Sequence, residues 1–358
     1  MASPQKIRTG ATDLLGIKHP VLLAGMNKTA SPKLAAAVTN AGGLGVIGGG
    51  MYTPQLLRES IAELKSYLVD KNAPFGVDLL IPKVGNGARA TNYDYNKGRI
   101  MDLIDVIVEG GAKLFVCAVG IPSQAVVDRL HAGGVLYMNM IGHPKHAQRA
   151  IDLGADLLCA AGGEAGGHTG DVPTVILIPA VKKIIKGQIS KFTDKEIQLV
   201  GGGGMHNGHS LAGAMMLGAQ AIWVGTRFIL CEESGSGAEH QEAVRSADHG
   251  QIVRTTIFSG RPMHVRSTPY IERWISKRQD EMQALQAKGI IPLQNDFDKF
   301  PDDAELTENA FPMIMGKVAA EVKERKRAKT IVDEMVEEAA ELLAEGAQTL
   351  DSGNKSKL

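Results

Sequence analysis

His168 is the residue whose setting first suggests chemistry. It lies in the stretch AAGGEAGGHTGD, where glycines surround Glu164 and the histidine. Glycine has no side chain to pack and loses the most backbone entropy on ordering, so this stretch cannot hold a regular helix or strand for long. An imidazole with a pKa near neutrality can take a proton or donate a hydrogen bond at working pH. We predict that a glycine turn presents His168 as a catalytic residue and that Glu164 braces the loop. A structural histidine bonded to loop carbonyls is the alternative.

Two glycine segments that end apolar runs could hold a phosphate. Gly203 and Gly204 end the run QLVGGGG, and Gly225 and Thr226 lie within AIWVGTRF. A phosphate accepts hydrogen bonds from backbone N–H groups, and its close approach leaves no room for a Cβ atom. The hydroxyl of Thr226 can add a further donor. Together the two segments predict a phosphate site, although tight turns also use glycine.

Other cofactor and metal motifs are absent from the sequence or stand in the wrong place. Residues 43–48, GLGVIG, match G-x-G-x-x-G, but they lie inside an apolar run and open no helix, as a dinucleotide fingerprint must. The sequence contains no G-x-x-x-x-G-K-[ST], no H-E-x-x-H and no cysteine cluster. We therefore predict neither a metal site nor a dinucleotide fold.

The elements that must position these residues are short apolar runs that alternate with segments of helical periodicity. The runs are VLLAGM (21–26), GLGVIGG (43–49), PFGVDLL (74–80), KLFVCAV (113–119), VLYMNM (135–140), ADLLCAA (155–161), QLVGGGG (198–204) and AIWVGTRF (221–228). Strands that are apolar on both faces and alternate with helices indicate a parallel sheet covered by helices. Eight such units predict an α/β fold, a (β/α)8 TIM barrel, with an open doubly wound sheet as the alternative. Barrel enzymes carry their active sites at the carboxyl ends of the strands, where His168 and both glycine segments fall.

The chain changes character after residue 228. Residues 229–350 are polar and mainly helical in pattern, with no strand-like runs of comparable strength. We predict a barrel over 1–228, a helical lid or substrate region over 229–350 that packs across the barrel mouth, and a disordered tail over 351–358. The basic run KERKRAK is followed by acidic DEMVEEAAE, which is typical of one solvated helix face.

Composition and the chain ends restrict the partners. The sequence has 39 basic residues, lysine plus arginine, and 39 acidic residues, aspartate plus glutamate. Its net charge is therefore zero and does not favour binding to nucleic acid or to an anionic membrane. No apolar run approaches a membrane span, and three scattered cysteines suit a reducing, cytoplasm-like compartment. Ser356, Lys357 and Leu358 form the S-K-L tripeptide that is a receptor-read peroxisomal address. We expect a peroxisomal import receptor and a small-molecule substrate as partners.

The glycine-rich motifs in this barrel order resemble those of one flavoenzyme family. GLGVIGGG after SPKLAAAVTNAGG, then GGEAGGHTG, then GGGGMHNGHSLAGAMMLGAQAIWVGTRF resemble the nitronate monooxygenase family, formerly called 2-nitropropane dioxygenases. Its members are FMN-dependent (β/α)8 enzymes, and flavin-dependent enoyl-thioester reductases and some NAD(P)H:quinone reductases resemble them. The resemblance implies that residues 1–228 form an FMN-binding barrel.

The resemblance also implies roles for individual residues. The family's catalytic histidine in E-A-G-G-H falls on His168. Its flavin-binding positions fall on Ala24, Gly25, Met26, Asp78, Gly166, Gly203, Gly204, Trp223, Val224, Gly225 and Thr226. This sequence departs from the family at Asp78, where Asn is usual, and at Ala161, where Gln is usual.

Three functions follow as hypotheses. The first is FMN-dependent oxidation of an alkyl nitronate, or of a nitroalkane, by O2 to a carbonyl compound and nitrite. The second is an NAD(P)H-dependent flavin reductase that acts on an enoyl thioester or a quinone, which a peroxisomal location would suit. The third is a barrel without flavin, such as a phosphosugar isomerase or a ligand-binding protein.

Overall fold

The computed structural model describes residues 2–84, 88–309 and 311–350. Within these ranges the strands are β1 Val21–Leu23, β2 Gly45–Gly49, β3 Phe75–Leu80, β4 Leu114–Ala118, β5 Leu136–Ile141, β6 Leu157–Ala161, β7 Gly167–His168, β8 Gln198–Gly202, β9 Ala221–Val224, β10 Ile252–Thr255 and β11 Met263–Arg266. Eight of them form one parallel sheet in the order β1-β9-β8-β6-β5-β4-β3-β2. Seven of the predicted apolar runs contain one of these strands, and the run 135–140 ends one residue before β5 does, so the barrel prediction is confirmed.

The two ends of this sheet meet and close the barrel. The N–H of Leu23 donates to the carbonyl of Leu44, and the N–H of Leu44 donates to the carbonyl of Val21, both at 2.9 Å. Residues alternate between the two faces of each strand. Leu22 and its inward counterparts fill the interior with Leu14 of the first helix, whereas Val21 and its outward counterparts pack under the helical layer. The strands are therefore apolar on both faces because both faces are buried.

The helices lie before the first strand, between the barrel strands and in the segment after the last barrel strand, and those between the strands cover the barrel. They are α1 Gly10–Leu15, α2 Pro32–Asn40, α3 Pro54–Tyr67, α4 Ile100–Glu109, α5 Gln124–Ala132, α6 Ala147–Leu153, α7 Thr174–Ile185, α8 Gly208–Met216, α9 Thr226–Ile229, α10 Ala238–Arg245, α11 Pro269–Lys277, α12 Gln279–Ala287, α13 Pro292–Lys299, α14 Ala304–Asn309 and α15 Ala328–Gln348. Ser31 caps α2 by accepting from the N–H of Leu34, with Pro32 in the first turn, as the sequence pattern predicts.

A second, small sheet forms at the barrel mouth. β10 pairs antiparallel with β11, and β11 pairs antiparallel with β7, so that Met263 lies opposite His168. The region 229–350, which we predicted to be mainly helical, therefore also contains two short strands. These strands are four residues long, and β11 finds its partner β7 almost a hundred residues away, a pairing that local periodicity cannot reveal.

The last helix lies on the barrel wall. α15 packs against α8 and α2. Its buried face, which includes Ile331, Met335 and Ala339, belongs to the same apolar layer as the barrel helices. α15 thus fills the place of the eighth barrel helix, whereas we expected all of 229–350 to lie across the mouth. The segment between α9 and α15 carries two further apolar clusters, one of them around Trp274.

Residues 351–358, including Ser356, Lys357 and Leu358, lie outside the described residues, and the peroxisomal address stays a prediction. Among the helices described, none combines the length and the apolar character that crossing a membrane requires.

Candidate functional site

The ends of β1 and β9 bring four of the predicted cofactor-binding residues together. The N–H of Ala24 donates to the carbonyl of Val224 at 2.9 Å, which joins the two strands at the barrel mouth. A Cβ atom on Gly225 would lie 3.4 Å from the sulfur of Met26 and 3.5 Å from the Cβ of Ala24. These backbones therefore form one continuous wall at the mouth, with glycine at the point of closest approach.

The glycines after β8 and β9 carry free hydrogen-bond donors. The N–H groups of Gly204 and Gly225 donate to no acceptor within the part of the chain that the structure describes, whereas the N–H of Gly203 belongs to the ladder between β8 and β9, where Gly202 pairs with Trp223. Gly203 and Gly204 have φ values of +93° and +76°, a region that favours glycine. Parallel strand ends that leave several N–H groups unpaired form a concavity suited to an anion.

The reason that position 203 needs glycine differs from our expectation. A Cβ atom there would lie 2.8 Å from Oγ1 of Thr174 and 3.0 Å from the carbonyl of Gly162, so it points into the protein. At Gly204 the same construction meets nothing closer than the Cβ of Glu164 at 3.9 Å. Position 203 is thus restricted by packing and by its φ value, and position 204 by its φ value alone.

Thr226 links this concavity to the last part of the insertion between α9 and α15. Its side chain is buried, and Oγ1 accepts the N–H of Gly316 at 2.9 Å. Because Oγ1 accepts that bond, its own hydrogen remains available to an anion at the strand ends. Gly166 also touches this segment, since a Cβ atom there would lie 2.6 Å from the N of Gly316. Gly166 is therefore required for close packing, whatever it contributes to a cofactor.

The predicted residues Trp223 and Val224 point to opposite sides of β9. Trp223 is buried inside the barrel near Ala24, and Val224 packs outward into the helical layer. Val224 could therefore contact a bound molecule only through its backbone. Ala161, where the family usually has glutamine, is buried at the end of β6.

Asp78 is a buried carboxyl group with an unsatisfied oxygen. It lies on β3 and points into the barrel, where Cβ atoms on Gly25 and Gly48 would come within 2.4 Å and 2.6 Å of its side chain. Its Oδ1 atom has no hydrogen-bond partner. Burial raises the pKa of Asp78 to about 8, because the ionised form loses its hydration. A carboxyl group that is protonated at neutral pH can donate a hydrogen bond, unlike an ionised one.

His168 lies at the mouth in the strand β7 rather than in an unpaired turn. The pairing of β7 with β11 fixes the backbone, and the imidazole Nε2 lies 2.8 Å from Oγ of Ser259. Burial, and secondarily the charge of Arg261, lower the pKa of His168 to about 4. The expectation of a pKa near neutrality was therefore wrong, since the surroundings keep this imidazole neutral. A neutral imidazole can still accept a proton or share a hydrogen bond.

Glu164 braces its loop as expected. One carboxylate oxygen accepts from both the N–H and the hydroxyl of Thr174, at 3.0 Å and 2.5 Å, at the start of α7. The carboxylate thereby caps a helix whose N-terminal N–H groups need acceptors. The carboxylate of Glu164 is therefore used in capping α7. His168 is the titratable side chain of this loop that faces Ser259.

Sequence reasoning missed two neighbouring arginines, of which Arg261 lies near His168. Arg261 follows Ser259 in the loop between β10 and β11, and Arg89 lies in the loop after β3; Arg89 donates to the carbonyl of Gly260 at 3.3 Å. No acidic side chain among the described residues forms an ion pair with either arginine. The sequence gave no signal for them, because isolated arginines in polar segments are common and only the fold brings these two together.

The residues present fit the flavin phosphate that the sequence resemblance implies. Free N–H donors at Gly204 and Gly225 and the hydroxyl of Thr226 suit a phosphate, and the unsatisfied Oδ1 of Asp78 beside Gly25 suits a polar edge of a ring system. Within residues 2–84, 88–309 and 311–350, no group of three His, Cys, Asp or Glu side chains is placed to hold a metal ion.

Comparison with known proteins identifies the family. The profile of the nitronate monooxygenase family matches residues 8–346. The chain is 33% identical over 267 residues to the (3aS,4S,5R,7aS)-5-hydroxy-7a-methyl-1-oxo-octahydro-1H-indene-4-carboxyl-CoA dehydrogenase of Rhodococcus jostii, covering 74% of this chain and 67% of that one. It is 30% identical over 295 residues to a probable nitronate monooxygenase of Staphylococcus saprophyticus, covering 75% and 81%.

Solved structures give the same architecture. FabK from Thermotoga maritima superposes with a TM-score of 0.75 at 28% identity, covering 96% of this chain and all of that one. Nitroalkane oxidase from Streptomyces ansochromogenes also gives a TM-score of 0.75, at 23% identity and 95% coverage of this chain, which establishes the shared fold.

Proposed function

The chain belongs to the nitronate monooxygenase family, and from that premise we propose that it is an FMN-dependent oxidoreductase that converts alkyl nitronates, with O2, to a carbonyl compound and nitrite. The chain is an oxidoreductase by family, and its relatives indicate a flavin. One observation carries the choice of substrate. A neutral imidazole, His168, lies beside an arginine without an acidic partner, in the same loop as Glu164, which lies against Gly204 of the proposed cofactor concavity. That arrangement suits a small anion such as a nitronate.

The chain's own residues would hold the cofactor. The N–H groups of Gly204 and Gly225 and the hydroxyl of Thr226 would bind the phosphate, with Gly203 shaping the turn after β8. Asp78, neutral at pH 7, would donate from its carboxyl group to an acceptor atom of the ring. When bound, FMN supplies two-electron oxidation and reactivity toward O2.

His168 would act on the substrate through its ring nitrogens. Its Nε2 atom shares a hydrogen bond with Ser259, which orients the ring. As a neutral group it can take the α-proton of a neutral nitroalkane, or it can hold the oxygen atoms of a nitronate that has already lost that proton. Its lowered pKa makes it a weak base, which favours the preformed nitronate as the better substrate.

Product analysis tests this proposal. The purified protein should be yellow, should release FMN on denaturation, and should form nitrite and a carbonyl compound when mixed with ethyl nitronate in air. A colourless protein that takes up no FMN would overturn both flavin proposals. A yellow protein that forms no nitrite from any alkyl nitronate would overturn the choice of substrate.

A reductase acting on an acyl thioester is a second candidate. The Rhodococcus relative, at 33% identity, is named for a carboxyl-CoA substrate. In addition, the family resemblance implies that Asp78 and Ala161 stand where nitronate enzymes usually have asparagine and glutamine. Under this reading NADH or NADPH would reduce the flavin, and His168 would act afterwards on the acceptor. Oxidation of NADPH that depends on an added enoyl-CoA, without nitrite formation from nitronates, would favour this candidate over the first.

A further inference from the structure

The loop between β10 and β11 docks onto the barrel mouth through Arg261. The guanidinium donates from Nε to Oδ1 of Asn92 at 3.0 Å and from Nη1 to the carbonyl of Val119 at 3.1 Å. Val119 is the residue immediately after β4, so the guanidinium reaches the carboxyl end of a barrel strand. These two bonds fix the plane of the group but neutralise none of its charge, because both acceptors are uncharged oxygens.

Two features show that this positive charge is uncompensated. Arg261 is half-buried, and burial together with the neighbouring Arg89 guanidinium lowers its pKa. The salt bridges among the described residues include neither arginine. Removing a cation from water beside another cation is unfavourable unless an anion offsets it. The folded chain therefore maintains a positive site whose counter-charge it does not itself supply.

The position of the charge relates it to the proposed chemistry. Arg261 lies close enough to His168 for its charge to lower the pKa of that imidazole. Ser259, the hydrogen-bond partner of His168, is two residues before Arg261 in the same loop. The Nη2 atom of Arg261 forms no hydrogen bond with the described residues, and it can donate to a ligand.

We infer that Arg261, supported by Arg89, binds the oxyanion head of a small organic substrate, a carboxylate or a nitronate, on the His168 side of the barrel mouth. This inference rests on the proposed function for its location at the reacting end of the substrate. It adds a specificity-determining residue: the site would prefer an anion to a neutral molecule of the same shape. Arginine suits a planar head with two oxygens, because its donors form a planar fork.

A matched pair of ligands tests this preference without any turnover. Propionate has the planar two-oxygen head of ethyl nitronate, and propionamide has the same shape without the charge. Calorimetric titration of the purified protein, as isolated, should show propionate binding more tightly than propionamide. Arg261→Gln should weaken propionate binding about ten- to a hundredfold, the range for loss of a hydrogen bond between charged groups, and should change propionamide binding much less.

Three variants separate charge from structure. Arg261→Lys should retain part of the affinity, because it keeps the charge and loses the fork. Arg89→Gln should weaken propionate binding less than Arg261→Gln does. Arg254→Gln is the control, since Arg254 lies on β10 and pairs with Asp171 at 3.0 Å; it should change nothing.

Several results would overturn the inference. Equal affinity of the wild type for propionate and propionamide would do so, and so would unchanged propionate binding in Arg261→Gln. Equal losses in the Lys and Gln variants with an unaffected Arg89→Gln would assign the effect to loop docking instead of charge. A colourless protein that still showed the charge preference would overturn the proposed function alone, whereas a yellow protein without that preference would overturn the inference alone.

Discussion

Replacing Asp78 by asparagine should stabilise the folded protein at neutral pH and remove part of its pH dependence. Burial raises the pKa of Asp78 from 3.8 to about 8. Between these values the folded state keeps a proton that the unfolded state has released. The contribution of Asp78 to stability is therefore complete below the unfolded pKa and is lost as the pH rises through the folded pKa. At about 1.4 kcal/mol per pH unit, the wild type should lose about 2.5 kcal/mol relative to Asp78→Asn between about pH 5.5 and pH 7.5.

Equilibrium unfolding in urea, without added flavin, measures this difference. Both chains are unfolded at the two pH values, and the difference in free energy of unfolding between the chains is compared across pH. Groups that titrate alike in both chains cancel in this comparison. Asp302→Asn, a change at an exposed position, is the control and should give no pH-dependent difference. A difference between wild type and Asp78→Asn that stays constant with pH would refute the argument from burial.

Three further predictions follow from the site. His168→Asn should lower the rate on a nitroalkane about 10²–10⁴-fold and the rate on the preformed nitronate less, and equal losses on both substrates would exclude the role of base. Because the pKa of His168 is about 4, the wild-type nitroalkane rate should not vary with the protonation of His168 between about pH 6 and pH 8. Gly25→Ala should release flavin, measured by absorbance after gel filtration, because its Cβ atom would lie 2.4 Å from Asp78, whereas Gly213→Ala on α8, with open space around it, should retain flavin. Thr226→Val should lower the free energy of unfolding by about 1–3 kcal/mol, because the buried N–H of Gly316 loses its acceptor, and Thr226→Ser should restore it.

The barrel was predictable from sequence because its signal is local. Each β strand of the barrel is a short apolar run with both faces buried, and the helix start at Pro32 has its own signature. The strands β10 and β11 were not predictable in the same way. Their residues are half polar, and β11 is stabilised by pairing with β7, which lies far away in the chain. The placement of α15 on the wall also depends on tertiary contacts with α8 and α2.

The residues of the candidate site also differ in whether a local sequence pattern indicates them. Gly203, Gly204, Gly225 and Thr226 could be proposed from the sequence as a phosphate site, which stays a prediction, because a site built from backbone N–H groups requires glycine at strand ends. Arg261 could not, because nothing in its neighbourhood along the chain relates it to His168. The pKa values of the site were also beyond the sequence, since burial, rather than residue type, sets that of Asp78 and that of His168.

Anaerobic mixing of the yellow wild-type protein with single reductants tests the central claim most directly. Ethyl nitronate, nitroethane, NADH and NADPH are each added without O2 while the visible absorbance of the bound flavin is followed. The account predicts rapid bleaching by the nitronate, slower bleaching by nitroethane and a sluggish response to both nicotinamides. Rapid bleaching by NADH or NADPH, with the nitronate inert, would contradict it and would make the chain a nicotinamide-driven reductase.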